Sequence, residues 1–511
     1  MSSSIAAFDI LETTIEDIHG AHQLGQLSGP VSGIAIAPLT ARQLVQIYLD
    51  RIEAYDRQGP AINAIITINS SALDEADRLD ASFKTSGFVG PLHGIPIIIK
   101  DQADIKGMPT TLGSVLFANY FPDRDAFVVE RLKKAGAIIL AKATLGELGG
   151  GDTHGSLFGS TRNPYDPART AGGSSGGSGA SVAANFCTVA IGQEGFASIR
   201  RPSTWNSIAG MRPTAGLVSR GGVYAGWPSL AGSLGPMART VKDLATLLDV
   251  MVGYDPEDPL TTRGVGHVPG SYKQFLDNTG LKGARIGILR ESMGYDAEPG
   301  SEDFAKITEV FDRAVAELKA AGAVIVDPVI IPKLKELLAK RAGSFSDEEA
   351  SFTNYFSRSA APPYKSREEA KNSPDFPKVT QRSRERWTRP AGETAHYQYL
   401  LAREELTTQF LKIMADHKLD AIVHKSVEHQ PTLIKDGVNP PFVDQKGAPH
   451  INTFLVFVPS IVVPAGFTRD NLPAGITFLG RPYDDGNMIK FAYAYEQATH
   501  HRRPPASTTP L

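Results

Sequence analysis

The sequence predicts an α/β fold, and three observations carry that prediction. A helix-like stretch bearing Phe127, Val128 and Leu132 turns at Ala135-Gly136 into a strand-like run from Ala137 to Ala141. The order recurs later, with strand-like Ala284 to Leu289, a helical stretch from about Ser301 to Ala321, and strand-like Ala323 to Val326. The run Ile97-Ile98-Ile99 has no polar alternation, the pattern of a strand buried on both faces. Strands that alternate with helices argue a sheet layered with helices.

Composition bounds the rest. At 511 residues the chain is long enough for a large core. Its 41% hydrophobic and 21% charged residues are those of an ordinary globular protein. A net charge of −3 gives no reason to expect nucleic acid or an anionic membrane surface as partner. The single cysteine, Cys187, rules out an intramolecular disulfide and fits a reducing, cytoplasmic location. Cys187 sits in an apolar run, so it reads as a buried structural thiol. The first residues lack a basic segment followed by a long apolar run, so no secretory signal is expected. No apolar stretch is long enough to span a bilayer.

Taken in order, residues 10 to 25 show helical spacing through Ile10, Leu11, Ile15 and Ile18. Gly29 to Pro38 reads as a loop. Thr40 is placed to cap a second helix that carries Leu44, Val45, Tyr48 and Ile52. Ile62 to Ile68 is strand-like, and Leu73 to Phe83 helical. Residues 1–85 are thus expected to form a helical segment packed on a catalytic domain of residues 86–511. Gly149-Gly150-Gly151 and Asn163-Pro164-Tyr165-Asp166-Pro167 are turn-rich. The three glycines are a candidate substrate-binding loop. Arg212 to Gly216 is a further loop, Val241 to Val252 a helix, and Leu419 to Val423 and Pro459 to Pro464 late strands. Residues 335 to 400 are charged and broken by prolines, an irregular helical excursion placed to cover a site. His501 to Pro505 reads as a frayed end.

The glycine-serine block from Gly172 to Gly179 organises the chemistry. Such glycine density frees the backbone for tight turns and close approach to a ligand. It carries Ser174, Ser175 and Ser178, and Ser198 follows in Gly195-Phe196-Ala197-Ser198. A flexible linker is disfavoured, because Ala180 to Ile191 is apolar enough for a buried helix feeding a buried strand. A phosphate loop would need a lysine straight after the glycines, and there is none. Gly172-Gly173-Ser174-Ser175-Gly176 matches the nucleophile-elbow pattern, with Ser174 as nucleophile. No later histidine, whether His424, His429 or His450, has a context that singles it out as its partner. Lys100 ends the apolar strand. By itself such a lysine is more readily a side chain reaching for the surface than a buried amine. No His, Cys, Asp or Glu set has metal-ligand spacing.

Three segments together resemble the amidase signature enzymes: Pro96-Ile97-Ile98-Ile99-Lys100-Asp101, Gly172 to Ser178, and Gly195 to Arg200. Met108 to Thr111, Asn163 to Pro167, Gly235-Pro236-Met237 and Pro464 to Phe467 are also similar. The resemblance spans roughly residues 10 to 265 and 415 to 500, outside the 335–400 excursion. It implies a single domain with a mixed central β-sheet covered by helices on both faces. It further implies a catalytic triad of Lys100, Ser174 and Ser198. Ser174 would be the bridging serine in a cis peptide, within hydrogen-bond reach of both partners, and Ser198 the acylated nucleophile. Backbone N–H groups of Gly195, Phe196, Ala197 and Ser198 would form the oxyanion hole. Lys100 would have to be buried and without an acidic partner, since only a neutral amine takes a proton.

The chain departs from the family's usual Gly-Thr-Asp-Thr-Gly-Gly-Ser at Gly192 to Ser198, where Glu194 replaces the acid and Phe196 and Ala197 replace the glycines. Phe196 is therefore expected to shape the acyl pocket. The implied activity is hydrolysis of small or medium carboxamides: aryl, acyl or peptide C-terminal amides. A glutaminase subunit of a tRNA-dependent amidotransferase and an ester or carbamate hydrolase are the alternatives. No cofactor and no metal are implied. A small-molecule amide is the expected partner, and a homodimer is among the expected assemblies.

Overall fold

Lys100 ends a strand with hydrogen-bonded neighbours on both sides, and that sheet frames everything else. The computed structural model describes residues 9–24, 39–230, 232–343, 348–389 and 392–511. The loop expected at Gly29 to Pro38 lies outside them. Numbered in chain order, the strands of the central sheet are β1 (Ile65–Ile68), β2 (Pro96–Lys100), β3 (Ile138–Ala143), β4 (Val189–Glu194), β5 (Ala209–Arg212), β6 (Ser233–Ala238), β7 (Arg285–Ile288), β8 (Val324–Val326), β9 (Ala421–Lys425), β10 (Ser460–Phe467) and β11 (Pro473–Leu479). They lie in the order β1-β3-β2-β4-β6-β5-β10-β11-β9-β7-β8.

The sheet is mixed, as expected. β2 runs parallel to β3 and β4, β7 runs parallel to β8 and β9, and the strands between pair antiparallel. Every residue of β2, β3 and β4 is buried, including the polar Lys100, Lys142, Gln193 and Glu194; the apolar residues among them show no alternation.

Helices cover the sheet. α1 (Ile15–Leu24), α2 (Ala41–Arg51) and α3 (Ala72–Ser86) precede β2. Thr40 caps α2 in a capping box with Gln43. Ile18, Leu44 and Tyr48 enter the same buried cluster as β2 and β4. α4 (Phe127–Lys134), α5 (Gly176–Ala183), α6 (Arg200–Trp205), α7 (Val241–Met251) and α8 (Glu302–Ala320) follow, and a last helix spans Asp485–Thr499. Cys187 is buried, and burial pushes its thiol up to about 12. Among the described residues no helix is long and apolar enough to cross a membrane.

The excursion at 335–400 is helical: α9 (Leu334–Leu338), a 3-10 turn at Ala339–Gly343, α10 (Glu348–Phe356), α11 (Arg367–Lys371), α12 (Gln381–Thr388) and the start of α13 (Glu393–Asp416). Phe352, Phe356 and Trp387 bury with Phe117 in an aromatic cluster apart from the main core. Phe117 stacks on Phe356 at 5.6 Å.

The chain end corrects an expectation. His501 to Pro505 is not frayed. The Arg502 guanidinium donates to both carboxylate oxygens of Glu12, at 2.7 and 2.8 Å, and to the Ser207 carbonyl at 2.8 Å. Arg51, on α2, donates to the carbonyls of Thr508 and Thr509, both at 2.9 Å. Two arginines in distant sequence fix the tail, a link that local composition does not encode.

Candidate active site

Four hydroxyls crowd the glycine-serine block, and their partners sort them. Ser178 Oγ donates to the Ile191 carbonyl at 2.9 Å. Ser175 Oγ donates to the Gln193 carbonyl and accepts from the Gln193 N–H, both at 3.2 Å. These two serines are spent on the backbone of β4 and fasten α5 to it. Ser174 Oγ instead accepts from Lys100 Nζ at 2.7 Å. Ser198 is partly exposed, and its hydroxyl makes no hydrogen bond to a described residue.

Lys100 is fully buried, not at the surface. Its second partner is the Gln193 carbonyl at 3.2 Å, and among the described residues no carboxylate lies within ion-pairing distance. Burial drives its amine well below the ordinary lysine value, with the negative charge of Glu194 acting in the other direction. The next residue, Asp101, carries a carboxylate that is engaged elsewhere. Lys142 on β3 pairs with it at 2.9 Å, and Thr111 donates to it through its N–H and its hydroxyl.

The Gly173–Ser174 peptide is cis, as the resemblance implies. A Cβ on Gly173 would strike the Gly151 carbonyl, so only glycine lets these two segments approach. Arg201, in α6, holds both: it donates to the Gly173 carbonyl at 2.8 Å and to the Gly151 carbonyl at 3.1 Å. Asp152 balances its charge at 2.8 Å. The Ser175 N–H donates to the Ser198 carbonyl at 3.1 Å, which sets the two serine segments side by side. The expected hydroxyl-to-hydroxyl bond from Ser198 to Ser174 is not made. Ser198 faces open space where solvent competes as a partner, and such bonds often tighten only with substrate in place.

None of the backbone N–H groups of Gly195, Phe196, Ala197 and Ser198 donates to a described residue. The turn that carries them is held from behind by Glu194. Its Oε2 accepts from the N–H groups of Ile199 and Arg200 at 2.8 and 2.9 Å. Its Oε1 accepts from the Arg200 guanidinium at 2.8 and 2.5 Å, and Arg212 lies 3.6 Å away. Burial would raise this carboxyl, but the two guanidiniums outweigh it and keep the acid ionised.

Ser198, Gly195 and Phe196 line a cavity of about 280 Å³, together with Gly149, Gly150 and Gly151. Ala197 is buried and does not line it. The opposite wall is the 335–400 excursion, through Phe352, Arg386 and Trp387. Glu147 fastens that wall to the glycine loop by accepting from the Thr380 N–H at 3.0 Å and hydroxyl at 2.5 Å. Sequence reading missed Gln102, Tyr224, Arg341 and the cover residues at the cavity. It placed the 335–400 segment as a cover but named none of its residues as lining, their signal being aromatic and arginine enrichment without periodicity; Gln102, straight after Lys100-Asp101, and Tyr224 carried no such signal. His424 and His429 do not line the cavity, and His450 stands behind Phe196, ring centres 6.1 Å apart.

The sequence model of a family described as Amidase matches residues 43–489. The match runs through the 335–400 segment, which extends the similarity beyond the two stretches expected. A probable amidase of Arabidopsis thaliana is 32% identical, over 98% of this chain and 92% of its own. A glutamyl-tRNA(Gln) amidotransferase subunit from an Exiguobacterium species is 34% identical, over 90% of this chain and 94% of its own. The crystal structure of a peptide amidase from Stenotrophomonas maltophilia superposes with a TM-score of 0.84 and 33% identity, covering 98% of this chain and 100% of that one.

Proposed function

The chain belongs to the amidase signature family and is an amidase, and from that premise we propose that it hydrolyses small or medium carboxamides, among them peptide C-terminal, aryl and acyl amides, through an acyl-enzyme on Ser198. The observation that carries this reading is the buried Lys100 amine, 2.7 Å from Ser174 Oγ and without a carboxylate to hold it protonated.

A serine hydroxyl is a weak nucleophile until a base takes its proton. Lys100, held neutral by burial, draws a proton from Ser174 Oγ, and Ser174 draws one from Ser198 Oγ as substrate docks. Ser198 Oγ adds to the amide carbonyl. The oxyanion that forms is met by the N–H groups of the 195–198 turn, each such donor contributing about 3 kcal/mol. The proton returns through Ser174 to the departing nitrogen, and amine leaves. Water then enters by the same base and releases the acid. In this reading Arg201 and Glu194 are positioning residues for the two serine segments.

The amidotransferase reading is favoured by relatives of that name. Against it stands the better superposition on a peptide amidase, TM-score 0.84 against 0.70 for a solved amidotransferase subunit. One experiment separates them. The purified chain alone, without ATP or tRNA, should release ammonia or amine from a panel of carboxamides that excludes glutamine. Ammonia release from glutamine only, and only with added partner subunits, would overturn the proposal.

A further inference from the structure

The cavity wall opposite Ser198 carries more positive charge than its neighbours neutralise. Arg382 is paired with Asp444 at 3.0 Å. Arg386 donates to the Glu147 carbonyl and the Ser383 hydroxyl, both at 3.0 Å. Glu348, the acidic residue of the lining, is paired with Arg367 at 2.6 Å. Arg389 also lines the cavity, and neither it nor Arg386 has a described carboxylate within ion-pairing distance; Arg341 is the cation seated against the Phe196 turn. The 3-10 turn after α9 brings its guanidinium to 3.8 Å from the centre of the Phe196 ring, with Tyr295 at 6.0 Å. Its Nε donates to Thr453 Oγ1 at 3.1 Å. A guanidinium has five N–H donors. The others of Arg341 meet no acceptor among the described residues, and no described carboxylate lies within ion-pairing distance.

We propose that Arg341, seated on the face of Phe196, is an anion-binding residue of the substrate cavity, and that the preferred substrates are carboxamides whose acyl part carries a free carboxylate. The inference rests on the amidase reading above and deepens it. Three features support it. First, Phe196 lies two residues before Ser198, and Arg341, Phe196 and Ser198 line the same cavity, so an anion bound by Arg341 shares that cavity with the reacting serine. Second, Arg341 is half-buried and its free N–H donors stay open to the cavity, where water serves them until a ligand arrives; the aromatic face meets only part of the charge. A substrate carboxylate would meet the rest through two parallel N–H bonds, the geometry in which arginine and carboxylate match. Third, burial lowers the Arg341 guanidinium only to about 10, so it remains charged at neutral pH. A purely architectural tie between the cover and the Phe196 turn would need the stacking but not the uncommitted donors.

The test compares monoamides of short dicarboxylic acids with neutral amides of the same chain length, scored by ammonia release from the purified chain. Wild type should favour the anionic member in kcat/KM by about tenfold or more, and the preference should shrink as salt is added. Arg341→Met should lower the anionic-to-neutral ratio by about tenfold, and Arg341→Lys should retain part of it. Glutarate should inhibit wild type competitively, a readout that does not depend on the variants folding. Equal losses on both substrate classes in both variants would mean that Arg341 is architectural. A wild-type preference for neutral amides, or no inhibition by glutarate, would also overturn the proposal while leaving the amidase reading intact. Failure to cleave any amide would overturn both.

Discussion

Lys100 Nζ and Ser174 Oγ lie 2.7 Å apart, each fully buried. The lysine is kept from its natural counter-ions by neighbours: Asp101 is taken by Lys142, and Glu194 by Arg200 and Arg212. An amine so placed can act as a base because its surroundings deny it a charge partner, not because it is merely near a serine. Ser198→Ala should abolish turnover and acylation by a fluorophosphonate probe. Lys100→Met and Ser174→Ala should each cost about three or more powers of ten in kcat, since members of such a relay act as a unit. Undiminished labelling of the Ser198→Ala protein would point to Ser174 as the nucleophile.

Phe196 replaces a glycine of the usual family pattern, and its ring lines the cavity. Phe196→Gly should widen the pocket, so the ratio of kcat/KM for bulky over small acyl groups should rise. A profile of acyl-group preference identical to wild type would mean that the ring does not bound the acyl site.

Much of this was legible in the sequence, and the gaps have physical causes. β2 announced itself by its isoleucine run and β3 by its apolar stretch from Ala137 to Ala141, and the serine segments by their glycines. β6 and β11 did not, because glycine and proline interrupt them: Ser233–Ala238 contains Gly235-Pro236, and β11 opens Pro473-Ala474-Gly475. Gly235 is there for contact, since a Cβ would meet the Met211 carbonyl of the next strand. Lys100 read alone looked like a surface side chain. Its burial is a property of both neighbouring strands and the 173–174 turn, which no local window contains. The arginine clamps, Arg201 on Gly173 and Arg502 on Glu12, join residues far apart in the chain, and periodicity cannot forecast them.

Glu496 gives the stability a pH dependence that can be isolated. Burial pushes its carboxyl up to about 8, against the hydrogen bond from the Val241 N–H at 2.9 Å. The folded state therefore holds a proton that the unfolded chain releases near 4.5. The stabilisation is complete below the unfolded value and is lost as pH rises through the folded one. Glu496→Gln keeps an acceptor for Val241 and carries no charge. Its melting temperature relative to wild type should therefore climb between about pH 5 and pH 8.5. A difference that stays flat across that range would show that Glu496 ionises normally in the fold.

Glu194 offers the sharpest separation of architecture from electrostatics. Its carboxylate is buried, accepts two backbone N–H groups of the turn after Ser198, and neutralises Arg200 and Arg212. It also bears the one negative charge that lifts the Lys100 amine against the effect of burial. Glu194→Gln is nearly isosteric, but it replaces an acceptor oxygen with an NH₂ donor that must face another donor. It also leaves two buried guanidiniums without a counter-ion, a loss of about 3–5 kcal/mol in stability. The Ser198 turn should loosen, and kcat should fall. At the same time Lys100 loses the charge that favours its protonated form, so its pKa should drop further. The base would then be available at lower pH, and the acidic limb of the kcat/KM profile should move toward lower pH even as the plateau declines. A fall in melting temperature and kcat with an unmoved acidic limb would leave Glu194 as scaffolding alone. A limb that moves toward higher pH would contradict Lys100 as the base whose neutrality the reaction needs.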